Sequence, residues 1–277
     1  GRLTFGVGVN VFAGLEGVIV GTEGASRSLE ARVNQSLSGI FAIKVGLGQC
    51  VHLAETGLLD QLPGVAFVLV ERGDLLAEAV TRARAVIDAG YADPDRICLQ
   101  GHSWGGYQIA HILTKTDIFA CAESGAPVVN MTSAYGGIRW GSGMSRMFQY
   151  EKTQSRLGVS LWEDRETYLR NSPLFELDKV TTPVLILHND EDGAVPWYQG
   201  IEFFVSLRRL GKPAWFLNYN GEPHWPLKRQ NRKDFNIRMA QFFDHYLKGA
   251  PKPVWMERGV PAVEKGINQG YELLEEN

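Results

Sequence analysis

Apolar and polar positions follow two different periods along the chain, and the changes of period mark the predicted elements. The run from Leu75 to Ile87 repeats apolar residues at helical spacing, between Asp74, which can cap a helix, and Gly90, which can end one. Two further stripes with helical spacing follow later: Ile201, Phe204, Leu207 and Leu210 before Gly211; and Phe235, Met239, Phe242, Phe243, Tyr246 and Leu247 before Gly249. Short apolar runs, typical of buried strands, lie at 96–100, 120–123, 182–187 and 213–218.

Strands that alternate with helices predict an α/β fold, with a mostly parallel central sheet covered by helices on both faces. The chain has 277 residues, of which 44% are hydrophobic, enough for one large core, and such folds stay single-domain at this length. We therefore expect one domain over 1–277. Within it we distinguish an atypical N-terminal part (1–73), a pocket-forming excursion (130–172) and a proline-rich, charged surface tail (250–277).

Charge and hydropathy narrow the class of partner. The net charge of -3 argues against nucleic acid, whose phosphates require concentrated positive charge. The basic stretch 228–233 is expected to begin a solvated helix rather than to bind an anionic ligand. We see no apolar run of membrane-spanning length and no basic-then-apolar leader, so no membrane span is predicted. The compartment, cytoplasmic or exported, and the oligomeric state stay open.

The three cysteines, Cys50, Cys98 and Cys121, are too few and too odd in number for a disulfide framework. Cys98 and Cys121 lie in apolar, strand-like runs. We therefore expect both to be buried, inert thiols.

A candidate nucleophile lies where a predicted strand meets a predicted helix. Residues Gly101–Gly105 match the pattern G-x-S-x-G, in which a strained turn lifts the serine hydroxyl above the edge of the sheet. Gly105 and Gly106 would allow the following helix to pack closely. Ser103 is thus the predicted nucleophile, and the backbone N–H of Trp104 the predicted oxyanion donor.

A serine needs a base, and the base needs an orienting acid. In this type of fold both follow the serine, on loops after later strands. The loop after Leu187 offers the carboxylates of Asp190, Glu191 and Asp192, of which Asp192 is preferred, although a shared acidic site would blur that choice. His224, in the next strand's exit loop, is the expected base, and its alternative is a surface histidine without a role.

These three segments resemble the catalytic domain of the prolyl oligopeptidase family of serine peptidases. The resemblance rests on Gly-His-Ser-Trp-Gly-Gly-Tyr around Ser103, His-Asn-Asp-Glu-Asp-Gly-Ala-Val-Pro around Asp192, and Asn-Gly-Glu-Pro-His at His224, and it covers about two thirds of the chain, from Gly90 to near Gly249. It implies an α/β-hydrolase fold and a triad of Ser103, Asp192 and His224. Because the family's acid lies four residues beyond the strand-end histidine, here His188, the resemblance selects Asp192.

The chain also departs from the family pattern. Family peptidases usually carry a β-propeller ahead of this domain, and none is visible here, which implies either a fragment or a stand-alone hydrolase. The residues before Asp74 match poorly, and the early tyrosine that assists the family's oxyanion hole is not visible. We therefore look for a second oxyanion donor between Gly14 and Ser28.

The excursion is expected to decide substrate choice. Over 130–150 it combines aromatic and flexible apolar residues with glycines, which is typical of an adaptable pocket wall, and a packed core is an equally good interpretation. Arg139 either binds a substrate carbonyl or carboxylate or pairs with a surface acid. The candidate substrate-binding residues are Tyr135, Arg139, Trp140, Trp197 and Trp225.

We expect a two-step acyl transfer that needs no metal or organic cofactor. Open access to the site favours small carboxylic esters as substrates, and the family resemblance favours short peptides as the alternative. A second alternative is a catalytically inactive binding module with an α/β-hydrolase fold. Ester hydrolysis is the first expectation.

Overall fold

The computed structural model describes residues 11–12, 15–16, 40–45, 65–70, 76–88, 90 and 92–275. The expected cap at Asp74, the candidate oxyanion segment from Gly14 to Ser28 and the state of Cys50 therefore fall largely or wholly outside the described residues.

The strands of the described residues, in chain order, are β1 (Val11–Phe12), β2 (Leu15–Glu16), β3 (Ile40–Val45), β4 (Val65–Val70), β5 (Ile97–His102), β6 (Cys121–Gly125), β7 (Ile138–Arg139), β8 (Met144–Ser145), β9 (Val184–Leu187) and β10 (Ala214–Leu217). The α-helices are α1 (Leu76–Asp88), α2 (Trp104–Leu113), α3 (Met131–Tyr135), α4 (Met147–Glu151), α5 (Arg165–Arg170), α6 (Tyr198–Arg209), α7 (Arg229–Lys248) and α8 (Val254–Arg258). Short 3-10 helices cover Pro94–Arg96, Pro173–Lys179 and Ala262–Glu264.

Six of the strands form one parallel sheet in the order β10-β9-β6-β5-β4-β3. Its β9 strand shows why both faces must be covered, because all four of its apolar residues are buried. Val184 and Ile186 pack into the core that includes α2 and α6, whereas Leu185 and Leu187 pack against α7. The predicted α/β architecture with helices on both faces is thus confirmed.

Helix boundaries follow local signals. Helix α7 begins within the basic stretch 228–233, as predicted, and its C-cap Gly249 adopts φ 68°, the left-handed conformation that glycine reaches without strain. The buried face of α6 differs from the predicted stripe: Phe203 and Leu207 are fully buried, while Leu210, at the C-cap, is 44% exposed. The end of the helix places Leu210 beyond the core, which periodicity alone does not reveal.

The expectation of two free thiols is wrong, because Cys98 and Cys121 form a disulfide. Cys98 on β5 stands directly opposite Cys121 on β6, with a Cα–Cα distance of 4.9 Å. A count of cysteines does not show which strands are neighbours or in which register, and this pairing needs both.

The tail expected on the surface is partly a core element. In α8, Trp255 and Met256 are 3% and 4% exposed and join the apolar cluster under α7. The indole N–H of Trp255 donates to Gln241 Oε1, and the Arg238 guanidinium lies over the Trp255 ring. None of the helices in the described part of the chain combines the length and the apolar character needed to cross a bilayer.

Candidate active site

Ser103 occupies the predicted turn between β5 and α2. Its backbone has φ 60° and ψ -115°, a conformation that is strained for a residue with a side chain. Its N–H donates to Gly125 O at 2.7 Å, which ties the turn to β6. A Cβ on Gly106 would lie 2.3 Å from the same Gly125 oxygen, so only glycine permits this approach of α2. The strained elbow and the role of Gly106 are confirmed.

Trp104 is the first residue of α2. Its backbone N–H is one of the helix's first amides, which have no intrahelical acceptor and carry the positive end of the helix dipole. This position next to Ser103 suits the predicted oxyanion donor.

Asp192 lies in the loop after β9, where four groups hold its buried carboxylate. The backbone N–H groups of Ala194 and Val195 each donate to Oδ1 at 2.8 Å. Oδ2 lies 2.7 Å from His224 Nδ1 and 3.2 Å from His188 Nε2. Burial alone would raise the pKa of Asp192, but the hydrogen bonds from His188, His224 and the backbone outweigh it, so the net pKa is lowered and the side chain is a carboxylate.

His224, in the loop after β10, turns its Nδ1 toward Asp192, which is the orientation that the predicted base requires for its Nε2 to act on Ser103. Its ring contacts His102 edge-on, with centroids 4.6 Å apart, and His102 stacks on Trp225 at 3.4 Å. Burial, and secondarily the nearby His224, lowers the pKa of His102 to about 3, so His102 is a neutral partner for the base.

Sequence reasoning gave His188 no role beyond its place in the motif. The structure buries it completely, with Nε2 3.2 Å from both Asp192 Oδ2 and Val195 O. Since both neighbours are acceptors, Nε2 must carry the proton. A Cβ on Gly200 would lie 2.6 Å from the His188 ring, so the glycine of α6 makes room for it. The signal in the sequence was the His-x-x-x-Asp spacing.

Ser103 and His224 line one cavity of about 120 Å³. Its other lining residues are Trp104, Val128, Arg139, Arg146, Gln149, Gln154, Ala194 and Val195. Of the predicted substrate-binding residues, only Arg139 is among them. Sequence reasoning did not single out Arg146, Gln149 or Gln154, because nothing in a local pattern marks a polar residue that tertiary packing turns inward.

The other candidate substrate-binding residues lie around this cavity or behind it. Tyr135 is buried in an apolar cluster and donates to Glu151 Oε1 at 2.5 Å. Trp140 is 74% exposed, and its backbone N–H donates to Gly193 O in the loop that carries Asp192. Trp197 precedes α6, and Trp225 is half exposed on His102. Their role in substrate binding stays a prediction.

A serine in a strained strand-to-helix turn, followed by a carboxylate and a histidine after later parallel strands, defines the class of α/β-hydrolase-fold serine hydrolases. The sequence of the chain matches the model of the prolyl oligopeptidase family over residues 73–250. The chain therefore belongs to the prolyl oligopeptidase family, as the resemblance of its motifs predicted.

Individual relatives support the same family assignment. The chain is 28% identical over 193 residues to the uncharacterized peptidase YuxL of Bacillus subtilis, covering 66% of this chain and 28% of the relative. It is 30% identical over 164 residues to the acylamino-acid-releasing enzyme of Arabidopsis thaliana, covering 58% and 21%. The chain thus spans about a quarter of the length of these relatives.

Solved structures give the same picture. A puromycin-hydrolyzing peptidase from Mycobacterium tuberculosis superposes with a TM-score of 0.55 at 27% identity, over 62% of this chain and 25% of that one. An acylaminoacyl peptidase from Pyrococcus horikoshii superposes with a TM-score of 0.54 at 25% identity, over 62% and 28%. The matched part of the fold is that of α/β-hydrolase peptidases.

Proposed function

We propose that this chain carries the catalytic site of a serine peptidase that acts on short peptides. The observation that carries the proposal is the hydrogen bond of 2.7 Å between His224 Nδ1 and the buried Asp192 carboxylate, on the rim of the cavity that Ser103 also lines. Peptidases among the relatives support peptides over the carboxylic esters that the sequence placed first. We expect small esters to be side substrates because their leaving group departs more easily.

The proposed mechanism follows from these positions. His224 Nε2 takes the Ser103 hydroxyl proton as Oγ attacks the scissile carbonyl carbon, while Asp192 fixes the imidazole tautomer and stabilises the imidazolium. The Trp104 N–H donates to the oxyanion that forms. The C–N bond breaks as His224 returns the proton to the leaving amine. A water molecule, deprotonated by His224, then releases the acyl group and restores Ser103.

Fluorophosphonate labelling tests the nucleophile. We expect Ser103 to be labelled and Ser103→Ala to abolish labelling, whereas Ser142→Ala, at an exposed serine of the excursion, leaves it unchanged. An unlabelled wild-type chain with an intact thermal transition would favour the inactive binding module instead.

Matched substrates test the bond that is cleaved. Acyl-peptide p-nitroanilides and p-nitrophenyl esters with the same acyl group differ only in the leaving group. We expect measurable turnover of the anilides, lost in Ser103→Ala. Ester hydrolysis without any anilide cleavage would restore the esterase interpretation.

A further inference from the structure

The cavity beside Ser103 carries an unbalanced positive charge. Two arginines, Arg139 and Arg146, line it together with Gln149 and Gln154, and its lining contains no carboxylate. Asp192, in the loop that contributes Ala194 and Val195 to the lining, is 4% exposed and already accepts bonds from Ala194, Val195 and His224. Nothing among the described residues neutralises the two guanidinium groups.

Arg146 is the most unusual of these residues. It is 1% exposed, and its Nε and Nη1 atoms have no hydrogen-bond partner within the described part of the chain. Its Cζ lies 5.9 Å from the ring centroid of Tyr150. Burial raises the pKa of Tyr150 although Arg146 opposes the rise, so the phenol is neutral and cannot supply a counter-charge. Burial of a guanidinium that lacks an acidic partner is unfavourable unless a ligand completes the site.

The backbone around Arg146 is built to hold it there. A Cβ on Gly137 would lie 3.2 Å from Arg146 Cδ, so the glycine just before β7 gives the side chain room. The Arg146 N–H donates to Gly137 O at 3.0 Å, which fixes the start of α4 against the β7–β8 hairpin. The inward position of Arg146 is therefore set by its local structure.

The side-chain amides of Gln149 and Gln154 are oriented to suit a negatively charged ligand. Arg139 Nη2 donates to Gln149 Oε1 at 3.2 Å, and Gln149 Nε2 donates in turn to Gln154 Oε1. Both amide oxygens thus accept a hydrogen bond, and the Gln154 NH₂ at the end of this series is a donor. Donors and positive charge, with no carboxylate in the lining, are what a carboxylate ligand requires.

Resting on the proposed peptidase function, we infer that this cavity recognises a carboxylate of the substrate, held by Arg146 and Arg139 next to Ser103. Two parts of a peptide supply such a group. One is an acidic side chain on the residue that donates the scissile carbonyl, and the other is the free C-terminal carboxylate of a short leaving group. Both present the same chemistry to the arginines, and matched substrates separate them.

The test uses the full chain and two pairs of substrates. The first pair is N-acetyl-Ala-Glu p-nitroanilide and its Gln counterpart, which differ in one charge at nearly constant shape. The second is Ala-Ala-Ala with a free C-terminus and the same peptide as its C-terminal amide. We expect kcat/KM to favour the charged member of one pair by about tenfold or more. Every compound is also scored as a competitor of fluorophosphonate labelling, so binding without cleavage still reports.

Variants connect the preference to the arginines. Arg146→Met and Arg139→Met are each expected to reduce it to about threefold or less, while labelling of Ser103 is kept. Arg165→Met, which removes the same charge from an exposed site in α5, is expected to preserve it. If Arg146→Met does not fold, the half-buried Arg139 supplies the decisive variant.

The two proposals fail in different ways. Equal kcat/KM and equal competition within both pairs, in a wild-type chain whose Ser103 still reacts with fluorophosphonate, overturn the carboxylate site and leave the peptidase proposal intact. A preference that survives both arginine variants also overturns it. A wild-type chain that does not react with fluorophosphonate overturns the peptidase proposal itself.

Discussion

Two regions that form walls of the same cavity differ in how their buried charges are paired. One wall is formed by the loops after β9 and β10, which contribute Ala194, Val195 and His224. Within these loops, the Asp192 carboxylate has four partners from the chain itself. On the wall formed by the excursion, Arg146 is equally buried, yet Nε and Nη1 have no partner among the described residues. The charge that we propose for the chemistry is satisfied internally, whereas the charge that we propose for ligand binding keeps donors without partners.

The two walls also differ in construction. The candidate catalytic groups follow the ends of strands in a sheet with both faces buried, whereas the excursion contains two-residue strands and helices of five or six residues. Large apolar side chains of the excursion face solvent, including Trp140 (74%) and Met144 (50%). We therefore expect substitutions on the first wall to change kcat, and those on the second to change KM and selectivity.

The largest effect is expected at Asp192. In Asp192→Asn the amide can still accept from Ala194 and Val195, but it loses the charge and the correct pairing with His224. We expect kcat to fall by about 10³- to 10⁴-fold. Steady-state hydrolysis of an activated ester or anilide measures this loss.

Asp190→Asn is the matched control. The Asp190 carboxylate bonds Asn220 and the backbone N–H of Gly221, so it joins the acid and base loops without touching His224. A loss below about tenfold is expected there. Equal losses in the two variants would remove the assignment of Asp192 as the orienting acid.

The disulfide ties together the strand that ends at Ser103 and its neighbour. Cys98 and Cys121 close a segment with a sequence separation of 23, which corresponds to about 3 kcal/mol of stabilisation from restricted unfolded chain. Reduction should lower the free energy of unfolding in urea by up to that amount. Thiol titration of the denatured, unreduced chain should detect Cys50 alone, and detection of all three cysteines would contradict the bond.

Glu123 on β6 has a carboxyl group that lowers the stability of the fold at high pH. Glu123 is 3% exposed, and burial raises its pKa from 4.5 to about 8. The folded chain keeps this proton up to about pH 8, whereas the unfolded chain releases it near pH 4.5. The contribution of Glu123 to stability therefore decreases as pH rises through that window and is constant above it.

Glu123→Gln removes this pH dependence. Relative to wild type, its Tm should increase progressively between pH 5 and pH 8, by roughly 5 °C at the upper end. Glu166→Gln, at an exposed residue of α5, is expected to keep a constant difference from wild type. Parallel Tm curves for wild type and Glu123→Gln would refute a raised pKa at this position.

The smallest effect is expected on the excursion wall. Trp140 contacts the acid loop through its backbone N–H, and its side chain is mostly in solvent. Trp140→Ala should therefore change KM by about threefold or less and leave kcat unchanged. A large loss of kcat in this variant would show that the two walls are not separable.

Much of the candidate catalytic site was predictable from the sequence because the patterns that indicate its residues are local. The elbow at Ser103 follows from glycines with fixed spacing, and the loops of Asp192 and His224 follow from apolar runs that end in polar residues. Parallel strands present their carboxyl ends at one edge of the sheet, so the order along the chain was sufficient to bring these groups together. The α/β class followed from the same alternation of periods.

Other features depend on which segments become neighbours, and no local pattern encodes that. The Cys98–Cys121 bond needs the register of β5 on β6, and the burial of Trp255 needs α7 as a surface to pack on. Arg146 resembles any surface arginine until the glycine at 137 and the cavity beside Ser103 surround it. Sequence periodicity predicted the elements, and local motifs predicted the candidate triad. Long-range packing alone decided which of the buried charges found partners within the described part of the chain.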